Sequence, residues 1–285
     1  MTTQEKLILE TLRSVTGFVE PSGRHSWKLA LANGKMVPAT ARATDGWLLF
    51  DAPLDGIDDR GDLWSLLALN ARLSGGAKFA LAGCHTRLRA EIVLDDEIDA
   101  AARLTETCAA LKEALSLKEG LREDGPPRLS INAKDTRASL PPLCSQAGWA
   151  FTERDEGRLA VNLEARNGFH QALIEESRGG VAITTEIARM KNLSPCSRQS
   201  IGALLLRASA GLRMIRASVE ESEEASIRFE ARFDSLPGAV EIDRALAALS
   251  LACAMCARET RALEDDFLAR RYLAAGRLPE SGSAM

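Results

Sequence analysis

The chain has 285 residues, of which 46% are hydrophobic, 27% charged and 5% aromatic, and its formal net charge is −4. That balance excludes a disordered or fibrous chain, and the slight acid excess argues against nucleic acid as a partner. No apolar run reaches the roughly 18 residues that span a bilayer, and MTTQEKLILE lacks the basic start and apolar stretch of a secretory signal. A cytoplasmic protein of two domains, with no membrane partner, is the expectation.

In chain order, Thr2 and Glu5 form a capping-box pattern ahead of an amphipathic helix ending near Ser14. SWKLALA reads as a strand, Asn33-Gly34 as a hairpin turn, and KMVPATARA as a second strand in which Pro38 marks an edge or bulge. GWLLFDA is a third strand, and RGDLWSLLALNARL has helical spacing. AKFALAG and TRLRAEIVL make a second hairpin, and a helix follows from about Glu97 to Leu117. The polar stretch 121–139, with its Gly-Pro-Pro, reads as a linker. Beyond it, Leu140-Pro-Pro142 opens a short helix in which proline sits in the first turn. Three strands are expected through 156–188, a helix from Pro195 to Ser209, strands over 211–219 and 225–233, and a last helix from about 240 to 273. Residues 276–285 read as a frayed tail.

The order α-β-β-β-α-β-β-α therefore occurs twice, and residue matches support a duplication. Leu12–Phe18 resembles Leu143–Trp149, Asn33-Gly34 recurs as Asn167-Gly168, and Asp45-Gly46 recurs as Gly179-Gly180. Arg72–Lys78 aligns with Arg207–Arg213, LRAEIVLD with IRFEARFD, and Ile98-Asp99 with Ile242-Asp243, the offset growing at loops. The expected fold is α+β: a tandem duplication over 1–120 and 140–275, an antiparallel sheet packed with helices in each copy, and the two copies forming an intramolecular pseudo-dimer. Both halves carry the same slight acid excess, so net charge assigns them no division of labour.

Two features carry a resemblance to a known family. One is the helix-into-strand junction, LLALNARLSGGAKFAL and GALLLRASAGLRMIRA. The other is an acidic strand end running into a long Ala/Leu helix, LDDEIDAAARLTETCAALKEAL and FDSLPGAVEIDRALAALSLACAM. Together with the element order, they resemble the class I type III secretion chaperone fold shared with the YbjN family. The resemblance implies a bacterial, non-enzymatic protein that holds a partner polypeptide segment without a cofactor. Proteins of that kind are usually single-copy homodimers; two copies in one chain imply a monomer that acts as a pseudo-dimer. A regulatory protein binding a folded partner, and a small-molecule site or enzyme between the copies, are the alternatives.

Trp27, Trp47, Trp64 and Trp149 are the candidate partner contacts, against the simpler reading that they are core. Leu66, Leu67, Leu204 and Leu205 are the candidate interface between copies. Ser74-Gly75-Gly76 with Lys78 could cradle an anion, but a tight helix-to-strand turn, repeated at Ser209, Gly211 and Arg213, is the favoured reading. The acids Asp51, Asp55, Asp58, Asp59 and Asp62, and the tip Glu220, Glu221, Glu223 and Glu224, read as solvated. Arg89 with Glu91 and Arg228 with Glu230 read as exposed cross-strand pairs. The Cys253-Cys256 pair lies among helix formers and reads as buried thiols; His25, His85 and His170 are isolated. No catalytic or metal-binding constellation is expected, because no GxGxxG, GxxxxGK[ST] or GxSxG motif occurs and the single CxxC has no second ligand pair.

Overall fold

The computed structural model describes residues 3–33, 35–54, 63–118, 133–165, 168–177 and 180–276. The first copy runs α1 (Thr3–Thr16), β1 (Val19–Gly23), β2 (Ser26–Asn33), β3 (Lys35–Thr44), β4 (Trp47–Pro53), α2 (Leu63–Arg72), β5 (Lys78–Ala82), β6 (His85–Val93) and α3 (Ala100–Lys118). The second runs α4 (Ala133–Gln146), β7 (Phe151–Glu153), β8 (Leu159–Ala165), β9 (Gly168–Ser177), β10 (Gly180–Met190), α5 (Pro195–Gly211), β11 (Arg216–Glu220), β12 (Ala225–Phe233), α6 (Ala239–Ala262) and α7 (Asp266–Ala275). The first sheet has the order β1-β2-β3-β4-β6-β5 and the second β11-β12-β10-β9-β8-β7, which is the same order read from the other edge. All pairings are antiparallel. The duplicated α+β architecture is thus present.

Each copy has four strands before its middle helix, not three. VEPSG and FTE lack an alternating apolar pattern because they are short, exposed edge strands with little to bury. The helix expected from Leu140 begins at Ala133, so Pro141 and Pro142 lie inside it and 133–139 is helix, not linker. The rest of that linker, 121–132, lies outside the described residues, as do Asp55, Asp58, Asp59, Asp62 and the tail from 277. The last helix is two helices, because the Asp265 carboxylate accepts from Leu268 N–H at 3.0 Å and caps a new start.

Alternation along the strands sends Trp27, Ala41, Phe50 and Ala90 into the core as one cross-sheet row. α1 and α3 cover that face in the first copy; α4 and α6 take their places in the second. The middle helices behave differently: α2 packs on β11 and α5 on β5, so each lies against the other copy's inner edge strand. α2 and α5 also pack on each other. Their closest approach is at Gly202, where a Cβ would stand 2.9 Å from Leu63 Cβ and 3.0 Å from Leu63 carbonyl carbon.

That contact reverses an ordinary helix rule. Gly→Ala in a helix interior normally stabilises by about 1 kcal/mol. Gly202→Ala is expected to destabilise by ~1–3 kcal/mol through overpacking against a helix backbone that cannot move aside. Gly211→Ala, with nothing within 4 Å of the added Cβ, serves as the control and should be neutral or stabilising. Urea unfolding of both variants checks the pair.

Candidate functional site

Each inner edge strand opens with a fully buried cation. Lys78 begins β5 and Arg216 begins β11. Lys78 Nζ donates to the carbonyls of Leu212 at 2.6 Å and Ile215 at 3.2 Å, in the second copy's helix-to-strand loop. Arg216 reaches the equivalent loop of the first copy, donating to the carbonyls of Leu73 and Ala77 at 2.6 Å and Gly75 at 3.0 Å. Burial draws both cations below their ordinary pKa, opposed by Glu91 beside Lys78 and Glu230 beside Arg216. The ion pairs are 2.9 Å for Lys78–Glu91 and 3.0 Å for Arg216–Glu230.

Several sequence expectations change here. Glu91 and Glu230 are buried partners of these cations, not members of exposed pairs; Arg89 instead binds Asp51, and Arg228 binds Glu220. The carboxylates are hidden because the other copy's helix-to-strand loop lies against them, which a strand pattern does not report. The loop match also shifts. The left-handed residue is Gly75 at φ +47°, three before Lys78, in one loop and Met214 at φ +64°, two before Arg216, in the other. Arg216 is the counterpart of Lys78 by its place, since each opens its inner edge strand and donates to the other copy's loop carbonyls, and Gly211 ends α5 without a left-handed turn. The anion cradle at Ser74-Gly75-Gly76 is occupied from within: Gly75 N–H donates to Asp234 Oδ1 at 3.0 Å. Likewise, Ile98 precedes α3 whereas Ile242 lies inside α6, so those two are not equivalent.

Trp27, Trp47 and Trp64 are buried, and Trp149 is half-buried with its N–H on Asp243 at 3.0 Å. The four indoles therefore form no exposed patch, as their large apolar area is spent on the core. Trp64 Nε1–H donates across the copies to Glu221 at 2.6 Å, so Glu221 is not merely solvated. Glu224 pairs with Lys191 at 2.6 Å. Leu66, Leu67 and Leu205 are buried in the common core, and Leu204 is partly buried against it, on helices that pack together. Asp51 is clamped by Arg87 and Arg89. His25 contacts Glu5, His85 is exposed, and His170 is held below its usual pKa by burial and by Arg261. No group of three or more His, Cys, Asp or Glu that could hold a metal occurs among the described residues. None of the described helices is long and apolar enough to cross a membrane.

The cation exchange places the α5–β11 loop over the first sheet. Between them lies an open groove of about 530 Å³. Its floor is the outer face of that sheet, where strand register aligns Ser26, Arg42, Leu49 and Glu91 in one row and Lys28, Thr40, Asp51 and Arg89 in the next. Its wall is Ala210, Gly211 and Arg213 of the second copy. Arg89 ties floor to wall by donating to Ala210 O at 2.8 Å. Sequence reasoning did not find this groove, because its two sides lie more than a hundred residues apart.

Replacing Arg216 by Met leaves four carbonyl contacts empty and Glu230 with Arg232 alone. The expected loss is ~3–5 kcal/mol of stability by chemical denaturation. The thiols give a separate check. Burial pushes Cys108 up to about 11, and burial and Glu259 push Cys256 up to about 12. Exposed Cys84 should therefore react promptly with Ellman's reagent at pH 8, whereas Cys108, Cys144, Cys253 and Cys256 react only on unfolding. Among known proteins, no family model matches this chain, and no curated protein matches it.

Proposed function

We propose that the chain is a non-enzymatic, chaperone-like binding protein of the bacterial cytoplasm, acting as a monomeric pseudo-dimer that holds a segment of a partner polypeptide. The observation that supports this most directly is the groove: an open trough of about 530 Å³, walled by one copy and floored by the other. It mixes donors, acceptors and the apolar Leu49 along strand rows, a lining suited to an extended chain. Its hydroxyls are engaged structurally: Ser26 with Ser22 at 3.0 Å and Thr40 with the Asp51 carbonyl at 3.3 Å. Neither is paired with a general base, one of the arrangements that activate a hydroxyl as a nucleophile.

The sheet face serves this role better than the sheet edges. β1 and β7, the outer edges, span five and three residues, and β1 contains Pro21. Short, proline-bearing edges disfavour strand addition. The inner edges, β5 and β11, are covered by α5 and α2. A segment lying across the floor strands meets neither obstacle.

Benzoylphenylalanine placed at Thr40 or Leu49 in the native host tests the reading. A discrete polypeptide adduct, mapped to one segment of one partner, is expected from both sites. The same group at exposed Asn162 on the second sheet should give none. Equal adducts from all three positions, or no polypeptide adduct from 40 and 49, would overturn it.

A further inference from the structure

We infer that the segment held in the groove is acidic, an assignment that rests on the groove being the protein-binding surface. The argument is a charge count by partner. On the second sheet's outer face every arginine in the register rows is matched. Arg158 pairs with Glu175 at 3.6 Å, Arg189 with Glu186 at 2.9 Å and Arg228 with Glu220 at 2.7 Å. Arg216 and Arg232 share Glu230 at 3.0 and 2.9 Å.

The first sheet's outer face is not balanced in this way. Asp51 is answered by two cations, Arg87 and Arg89, and Glu91 by Lys78 and by Met214 N–H at 3.3 Å. Both carboxylates of the floor are thus already saturated. Two cations that line the groove remain over, and exposed Lys28, in the same strand rows beside it, also has no carboxylate partner among the described residues. Arg42 is exposed and has no carboxylate partner among the described residues. Arg213 has none among the described residues either; its guanidinium carbon lies 5.0 Å from the centroid of the Trp47 ring, over an aromatic face. A cation–π contact of this kind holds a guanidinium without using its N–H donors, which stay available to a carboxylate. Of the two lining cations one comes from the floor and one from the wall, with Leu49 between Arg42 and Glu91 in the floor row. A chain segment bearing spaced Asp or Glu side chains, with an apolar residue between them, complements this arrangement.

The probe is a fluorescein-labelled peptide alternating Glu and Val, with a Gln-for-Glu analogue as its neutral control, read by anisotropy in low salt. The acidic peptide should bind, weaken as salt rises, and bind Arg42→Glu at least about tenfold more weakly, a loss of ~1.4 kcal/mol. Arg42 has no carboxylate partner among the described residues, so this variant should keep the wild-type circular dichroism and melting temperature. A Lys-for-Glu peptide should gain affinity for Arg42→Glu, which a folding defect cannot produce. Arg158→Glu on the second sheet should leave acidic-peptide binding unchanged. Equal binding of the Glu and Gln peptides would overturn the acidic assignment while leaving a peptide-binding groove. Tight binding of polyphosphate or an oligonucleotide that excludes the acidic peptide would overturn it in favour of a phosphate ligand. If neither peptide binds and the crosslinks at 40 and 49 also fail, the groove reading falls with it.

Discussion

Two buried cations, exchanged between the copies, set the terms for the rest of this molecule. An ammonium or guanidinium taken out of water costs several kcal/mol unless hydrogen bonds and an opposing charge replace its hydration. Lys78 finds a carboxylate in its own sheet, but its carbonyl acceptors belong to the second copy. Arg216 finds its acceptors in the first. Neither half can satisfy its own edge strand alone. The middle helices follow from this, because each helix must run past the other copy's edge strand to present its C-terminal carbonyls to the cation.

Neutral hydrogen bonds reinforce the exchange. Asn70 Nδ2–H donates to Phe79 O at 3.1 Å within its own copy and to Ala217 O at 2.9 Å across the junction. Arg103 on α3 binds Glu241 at 2.8 Å and Leu236 O at 2.9 Å, clamping the start of α6. Buried polar networks of this kind are unforgiving of slippage, since a shift of one residue would orphan several donors together. Near-twofold equivalence in the backbone is combined with inequality in charge. The hairpin that carries Arg89 and Glu91 in the first copy carries Glu230 and Arg232, in opposite order along the strand, in the second. The first sheet's outer face consequently keeps cations without a carboxylate beside the groove, while each arginine paired on the second has one within reach, Arg216 and Arg232 sharing Glu230. A duplicated scaffold has in this way become two unlike surfaces, even though the halves have the same net charge.

How much of this was legible in the sequence follows from which forces act locally. The 225–233 strand was readable because Ile227, Phe229, Ala231 and Phe233 alternate with polar residues, and the helix from Pro195 because proline opens a run of helix formers. β1 and β7 were not, because an exposed edge strand of five or three residues imposes no pattern. The last helix read as one element over 240–273, and only the capping bond at Asp265 shows that a new helix starts there. The tryptophans read as either contacts or core, and their burial decided for core. Glu91 and Glu230 were misplaced on the surface because alternation reports which side of a strand a residue takes, not what lies against that side.

By itself the amino-acid sequence determined the α+β class, the twofold repetition and most of the elements, since these rest on propensity, turn chemistry and short-range patterning. It also singled out Leu66, Leu67, Leu204 and Leu205 as apolar positions on the middle helices. Tertiary structure decided the rest: that Arg216, not Arg213, is the counterpart of Lys78; that the Gly75 N–H is taken by Asp234; and that Arg42 and Arg213 face one groove. Each of those facts depends on side chains meeting across a junction that joins distant parts of the chain. Residues that far apart carry no mutual signature until the helices are in place and the buried charges have found their carbonyls.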